Sequence, residues 1–164
     1  ILARHAVAGD RLQLEVTENV LVTSPELVSM SSARLAELGV TLSLDDFGTG
    51  YSSLTHLRSL SVDELKIDRS FVKRIGTNAF DTAVVRSTVA LGQSLGLRVV
   101  GEGVEDAEAL NLLSVLDCDE AQGYFIQRPV PADVLTDWLL SRPVDGTPDV
   151  LGDVSHPKTG VRHR

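Results

Sequence analysis

The stretch LSLDDFGTGYSS, residues 42–53, carries a strand, two adjacent carboxylates and a glycine-rich turn in immediate succession. Leu42 and Leu44 alternate with Ser43 and Asp45, the period of a half-buried strand. Asp45 and Asp46 stand where the strand ends, and Gly48 and Gly50 give the backbone freedom to turn. Two negative charges at the mouth of a buried strand are costly unless a counter-charge meets them. The helical pattern SSLTHLRSL (52–60) follows, so the stretch reads as one βα unit.

The same alternation recurs on both sides. LQLEV (12–16) reads as a strand, followed by an amphipathic helix over 25–38 with Leu27, Val28, Leu35 and Leu38 on one face. Gly39 ends it, as glycine commonly does. After VTLSL (40–44) come DELKI (63–67) and LRVV (97–100) as strands, and a short fifth strand within DEAQGY (119–124). The helix at 79–95 presents Phe80, Val84, Leu91 and Leu95 and stops near Gly96. Ala109, Leu113 and Leu116 mark another helix, and 131–141 closes with Val134, Leu135, Trp138 and Leu139 as its buried face. Strands alternating with helices predict an α/β fold with a parallel sheet, either doubly wound or a (β/α)8 TIM-like barrel. At roughly 30 residues per barrel unit, residues 1–141 hold about five units, a partial barrel. ILARHAV at the start reads as the back half of a helix, as if the chain were a piece of something longer.

The chain has 164 residues, 43% hydrophobic and 23% charged, which describes a soluble globular domain. A net charge of −8 argues against a DNA- or RNA-binding surface. One cysteine, Cys118, allows no internal disulfide and makes the cytoplasm the expected compartment; Cys118 reads as a small buried apolar residue. No run of 18 apolar residues supplies a membrane segment. Residues 142–164, with three prolines and three glycines and no periodicity, read as a disordered tail.

Strand faces alternate, so the residues opposite the apolar faces can be read off. They are Glu15 in the first strand, Asp45 in the second, Lys66 in the third and Glu102 in the fourth, all at C-terminal strand ends. That is where barrels and open α/β sheets place their sites. Glu18, Asp46, Asp68 and Glu105 lie just beyond. Asp46 shares the site of Asp45 only if the chain bends there; otherwise it caps the following helix. Glu15, Asp45, Asp46 and Glu102 around one Lys66 are not self-neutralising, and an oxygen-rich set of this kind suits Mg²⁺ or Mn²⁺. Paired metals are the usual apparatus of phosphodiester hydrolysis. GTGYSS is also a degraded dinucleotide loop, but two carboxylates directly before it would repel a pyrophosphate.

At these residues the chain resembles the EAL-domain family of bacterial cyclic di-GMP phosphodiesterases. LEVTEN, DDFGTGYSSL, ELKIDRSFV, VVGEGVED and CDEAQGYFIQRPVP match family signatures in family order and spacing, from about residue 10 to residue 141. The resemblance implies a (β/α)8 barrel that hydrolyses cyclic di-GMP to the linear dinucleotide with Mg²⁺ or Mn²⁺. It implies Glu15, Asp45 and Asp46 as metal ligands, Lys66 as the group that positions water, and Glu102 as general base. Glu18 and Glu105 would support the FGTGYSS loop, and Gln122 would lie at the substrate. Asp68 belongs to the lysine motif with a less defined role. The family's loop region often contributes to dimers, so a homodimer is an expected partner, as is an upstream sensory or cyclase domain.

The Glu-Ala-Leu segment that names the family is read as absent, together with an asparagine ligand from a following strand; both should precede Ile1. The chain therefore reads as the C-terminal part of such a domain. It is either a fragment of an active phosphodiesterase, inactive by itself, or a non-catalytic remnant that binds cyclic di-GMP or a protein.

Overall fold

The computed structural model describes residues 2–50, Leu57 and 60–141. The element order is β1 (Gln13–Thr17), α1 (Glu18–Thr23), α2 (Pro25–Glu37), β2 (Thr41–Phe47), β3 (Glu64–Ile67), α3 (Arg69–Val72), α4 (Ala79–Leu95), β4 (Arg98–Glu102), α5 (Ala107–Val115), β5 (Glu120–Gln122) and α6 (Ala132–Leu140). The expected helix at 52–60 and the tail at 142–164 fall outside the described residues, apart from Leu57 and Leu60. Ala3–His5 form a short 3-10 turn.

The five strands are all parallel and stand in the order β1-β2-β3-β4-β5. This order decides between the two architectures. A doubly wound sheet reverses its strand order at a switch point, whereas strands added one after another in a constant direction, with right-handed crossovers, keep the helices on one side as a barrel does. The helix side of the sheet is apolar. Leu42, Leu44, Phe47 and Leu65 pack with Val28, Leu57 and Val62, and Ile67 and Val99 pack with Val72, Val85, Val89 and Leu113.

Two helices present a different stripe from the one read in the sequence. On α4, Phe80 is 70% and Leu95 48% exposed, while Val85, Thr88, Val89 and Gly92 are buried. The helix is turned by about one residue because Gly92 lies against β4. A Cβ there would stand 2.2 Å from Val99 Cγ2, so the closest approach is made by the residue without a side chain. On α2, Val28 and Ser32 are buried, whereas Leu27 and Leu38 face outward. The helix ends behave as expected: Gly39 and Gly96 both have left-handed φ, +74° and +71°.

The outer parts of the sheet are less covered than the alternation implies. β1 is an edge strand among the described residues, and Leu14 is exposed rather than packed on a helix. The last helix exposes Val134, Leu135 and Leu139. It follows β5, the other edge strand, which has only three residues to pack against. Cys118 is half-buried, its thiol donating to the carbonyls of Val99 and Glu120. Burial pushes its pKa up to about 11, which keeps it a thiol.

The letters Glu-Ala-Leu recur at Glu108–Leu110, but not at the place expected of the segment that names the family. It lies on α5, where Ala109 and Leu110 are buried in the helix-side core. Its position serves packing on the outer layer and not the inner face of the sheet.

Candidate active site

β2 does not run straight to its end. Leu44 pairs with Leu65 and Phe47 with Ile67, so three steps on β2 match two on β3. This is a β-bulge, one extra residue on the bulged strand. It falls at Asp46, whose φ is +56°, in the left-handed region that Asp and Asn tolerate better than other side chains. Strict alternation would send Asp46 into the apolar helix layer and Phe47 toward the acids. With the bulge, Phe47 joins the buried apolar cluster instead. Asp46 stands beside Asp45, Asp68 and Lys66, close enough for each to act on its charge.

The inner face then gathers what the strand alternation predicts. Lys66 lies on β3 and its ammonium reaches Glu15 Oε1 on β1 at 2.7 Å, Glu102 Oε1 on β4 at 2.5 Å and Asp45 Oδ1 on β2 at 3.9 Å. Lys66 is buried, Glu102 and Asp45 are partly buried, and Glu15 on the edge strand is half exposed. Burial alone would lower the lysine's pKa; the hydrogen bonds to Glu102 and Glu15 outweigh it and raise the value. Glu102 is raised by burial, against the pull of Lys66. Asp46 is raised by burial and by the charges of Asp45 and Asp68.

The remaining residues divide. Glu18 is buried at the start of α1, and its Oε2 accepts from the N–H groups of Gly48 at 3.0 Å and Gly50 at 3.2 Å, tying the turn after β2. Asp68 caps α3 by accepting from the Ser70 N–H and hydroxyl. Glu105 pairs with Lys73 at 3.1 Å on the surface. Gln122 ends β5 and lines a cavity of about 380 Å³ together with Glu15, Lys66, Gln13, Glu64 and Trp138.

Sequence reasoning missed the layer beneath. Glu64 is buried and accepts from Gln13 Nε2 at 2.6 Å and Ser43 Oγ at 2.8 Å. Its other oxygen lies 3.0 Å from Arg98, which also reaches Glu120 at 3.3 Å. The period of two already held the signal, since each of these residues sits two or four positions before an upper one on the same strand.

The donor set of the upper layer is entirely oxygen and carries more negative charge than Lys66 balances. That chemistry fits a hard divalent cation. Among the described residues, however, no three of these acids stand grouped at ligand spacing; Glu15 and Glu102 close on Lys66 instead.

Comparison with known proteins agrees with the arrangement. Residues 1–129 match the EAL domain family model. The chain is 42% identical over 147 residues to the cyclic di-GMP phosphodiesterase NbdA of Pseudomonas aeruginosa, covering 90% of this chain and 19% of that protein. It superimposes on the MucR phosphodiesterase of the same organism in complex with c-di-GMP, with a TM-score of 0.79 and 42% identity over 82% of this chain and 54% of that one. A manganese and cyclic di-GMP complex of Klebsiella pneumoniae BlrP1 matches with a TM-score of 0.70 and 32% identity, covering 75% of this chain and 31% of that one. The chain thus spans about a fifth of NbdA and about half of the MucR chain. With a parallel sheet in barrel order, acids and a lysine at its C-terminal edge, and a family match over most of its length, this chain belongs to the EAL-domain family.

Proposed function

We propose that this chain carries the C-terminal part of a divalent-metal-dependent phosphodiesterase centre that opens cyclic di-GMP to the linear dinucleotide. The observation that carries the reading is the meeting of Glu15, Asp45 and Glu102 at the Lys66 ammonium, each from a different strand end. Glu15, Asp45 and Asp46 would hold Mg²⁺ or Mn²⁺, which supplies Lewis acidity and a water nucleophile at neutral pH.

The chain's own groups do the rest. Opening one phosphodiester consumes one water: its oxygen joins phosphorus, one P–O ester bond breaks, and the leaving ribose oxygen takes up a proton. Glu102 accepts the proton of the attacking water. Its partial burial raises its pKa toward the working range of a general base. Lys66, permanently charged, holds that water or a phosphate oxygen. Gln122, at the end of β5 on the cavity wall, offers an amide to a base or phosphate of the substrate. Glu18 holds the turn at Gly48 and Gly50 in place over the carboxylates.

The family resemblance assigns a further glutamate and an asparagine ligand to strands ahead of β1, and no strand precedes β1 among the described residues. A cation held by fewer protein ligands is poorly placed, and an error near 1 Å costs on the order of 10²-fold in rate. The 164-residue chain alone is therefore expected to leave cyclic di-GMP intact. Incubation with Mg²⁺ or Mn²⁺ and chromatography for the linear dinucleotide checks this. Turnover that is abolished by Asp45→Asn would show that the carboxylates present suffice. A homodimer and an accompanying cyclase or sensory domain belong to the same reading; MucR's own name joins diguanylate cyclase to phosphodiesterase.

A further inference from the structure

Lys66 makes an unusual reach. Its backbone lies on β3, yet its ammonium touches Glu15 on β1, two strands away, and Glu102 on β4 on the other side, with Asp45 of β2 between them. The Nζ atom is thus at the common focus of the acids, in a buried position. A divalent cation bound by Glu15 and Asp45 needs that same space, because metal–oxygen distances of about 2.0–2.6 Å draw both carboxylates inward. Two positive centres do not share it. The neighbouring cavity offers somewhere to go: Lys66 itself lines it, and beside apolar Val100, Ile126 and Trp138 it presents the carboxylates of Glu64 and Glu120 and the amides of Gln13 and Gln122.

We propose that Lys66 is a built-in counter-cation that holds the Glu15, Asp45 and Glu102 carboxylates together in the metal-free chain, and that a divalent cation and the Lys66 ammonium exchange at this position. The inference rests on the metal-dependent reading above and adds its regulation. Without the cation, Lys66 offsets part of the acids' charge and keeps the strand ends in register. With it, the ammonium swings into the cavity and becomes free to meet water or a phosphate oxygen. The residue assigned to position the nucleophile is released only when the centre is loaded.

The test uses the 164-residue chain and Mn²⁺. Limiting acetylation read by mass spectrometry compares Lys66 with Lys73, which is exposed and serves as the internal reference. Mn²⁺ is expected to raise the modification of Lys66 relative to Lys73 severalfold. Paramagnetic resonance titration is expected to give Lys66→Met an affinity for Mn²⁺ roughly tenfold or more above that of the native chain, since a like charge has been removed from the site. If Lys66→Met fails to fold, the labelling of the native chain decides alone. Mn²⁺ binding with unchanged protection of Lys66, or with no gain in affinity in a folded Lys66→Met chain, overturns the exchange and leaves the phosphodiesterase reading standing. Failure of Mn²⁺ to bind either chain overturns the exchange as well.

Discussion

Two polar layers lie on the inner face of one sheet, two residues apart along β1, β2 and β3, a rise of about 6.6 Å, and four apart along β4. The lower contains Gln13, Ser43, Glu64, Arg98 and Glu120; the upper contains Glu15, Asp45, Lys66 and Glu102. In the lower layer each oxygen of Glu64 has a partner, two neutral donors on one and a guanidinium on the other. In the upper layer three carboxylates share one ammonium, and Asp46 and Asp68 stand just beyond it. Both layers bury charge at a desolvation cost. Only the lower one repays that cost from within the chain. The upper one keeps a surplus of negative charge, three carboxylates to one ammonium, and burial raises the carboxyls of Asp46 and Glu102. Saturated burial is architecture; unsaturated burial of one sign is a binding site awaiting its counter-ion.

The largest expected effect breaks the upper layer's chemistry. In a chimera that supplies the preceding strands of an EAL domain, Glu102→Gln is expected to lower kcat by about 10²–10⁴-fold, the usual worth of a proton acceptor. KM should change little, because the amide is nearly isosteric with the carboxylate and loses only the capacity to take a proton. Steady-state hydrolysis measures both. Turnover at the native rate would remove Glu102 from the mechanism.

The next effect falls on the lower layer and concerns stability. Glu64→Ala leaves Gln13, Ser43 and Arg98 without their shared acceptor, at a cost of about 2 kcal/mol. The figure is modest because Arg98 is partly exposed and can turn to water or Glu120. Urea denaturation of the metal-free chain would reveal it. An unchanged midpoint would mean that the lower layer is not structural and would dissolve the contrast.

The smallest effect sharpens the contrast through pH. The folded Asp46 and Glu102 carboxyls lie above their ordinary values, chiefly from burial. A carboxyl raised in this way favours folding below its unfolded pKa and loses that contribution as pH rises through its folded pKa. The metal-free chain is thus expected to melt about 1–2 °C higher at mildly acidic pH than at neutral pH, an effect kept small by solvent screening of the partly exposed Asp46. Asp46→Asn should shrink the difference, since Asn accepts the left-handed φ and carries no charge. Thermal melts at the two pH values decide; a higher melting point at neutral pH would contradict the surplus of charge.

Much of this was legible in the sequence. The period of two in LQLEV, VTLSL and DELKI set which residues lie together, and it placed Glu15, Asp45, Lys66 and Glu102 on one face before any coordinate was known. The same period puts Gln13, Ser43 and Glu64 on that face two positions earlier, but single polar residues in strands carry no sign of being paired. Helix faces were read less well. Phe80 and Leu95 are as apolar as the buried residues of α4, and hydrophobicity alone does not tell a helix which way to turn.

What the sequence by itself determined was periodic and local: parallel βα units, helix ends at Gly39 and Gly96, and acids at the C-terminal strand ends. Tertiary structure decided what depends on a neighbour. It chose a constant strand order over a doubly wound one, since order is a relation between strands. It turned α4 so that Gly92, lacking a side chain, could lie against Val99. It placed the bulge at Asp46, because only the pairing of Leu44 with Leu65 and Phe47 with Ile67 leaves one residue over. And it brought the Lys66 ammonium from β3 to Glu15 on β1, a contact across 51 residues of chain that arises only when the strands stand side by side.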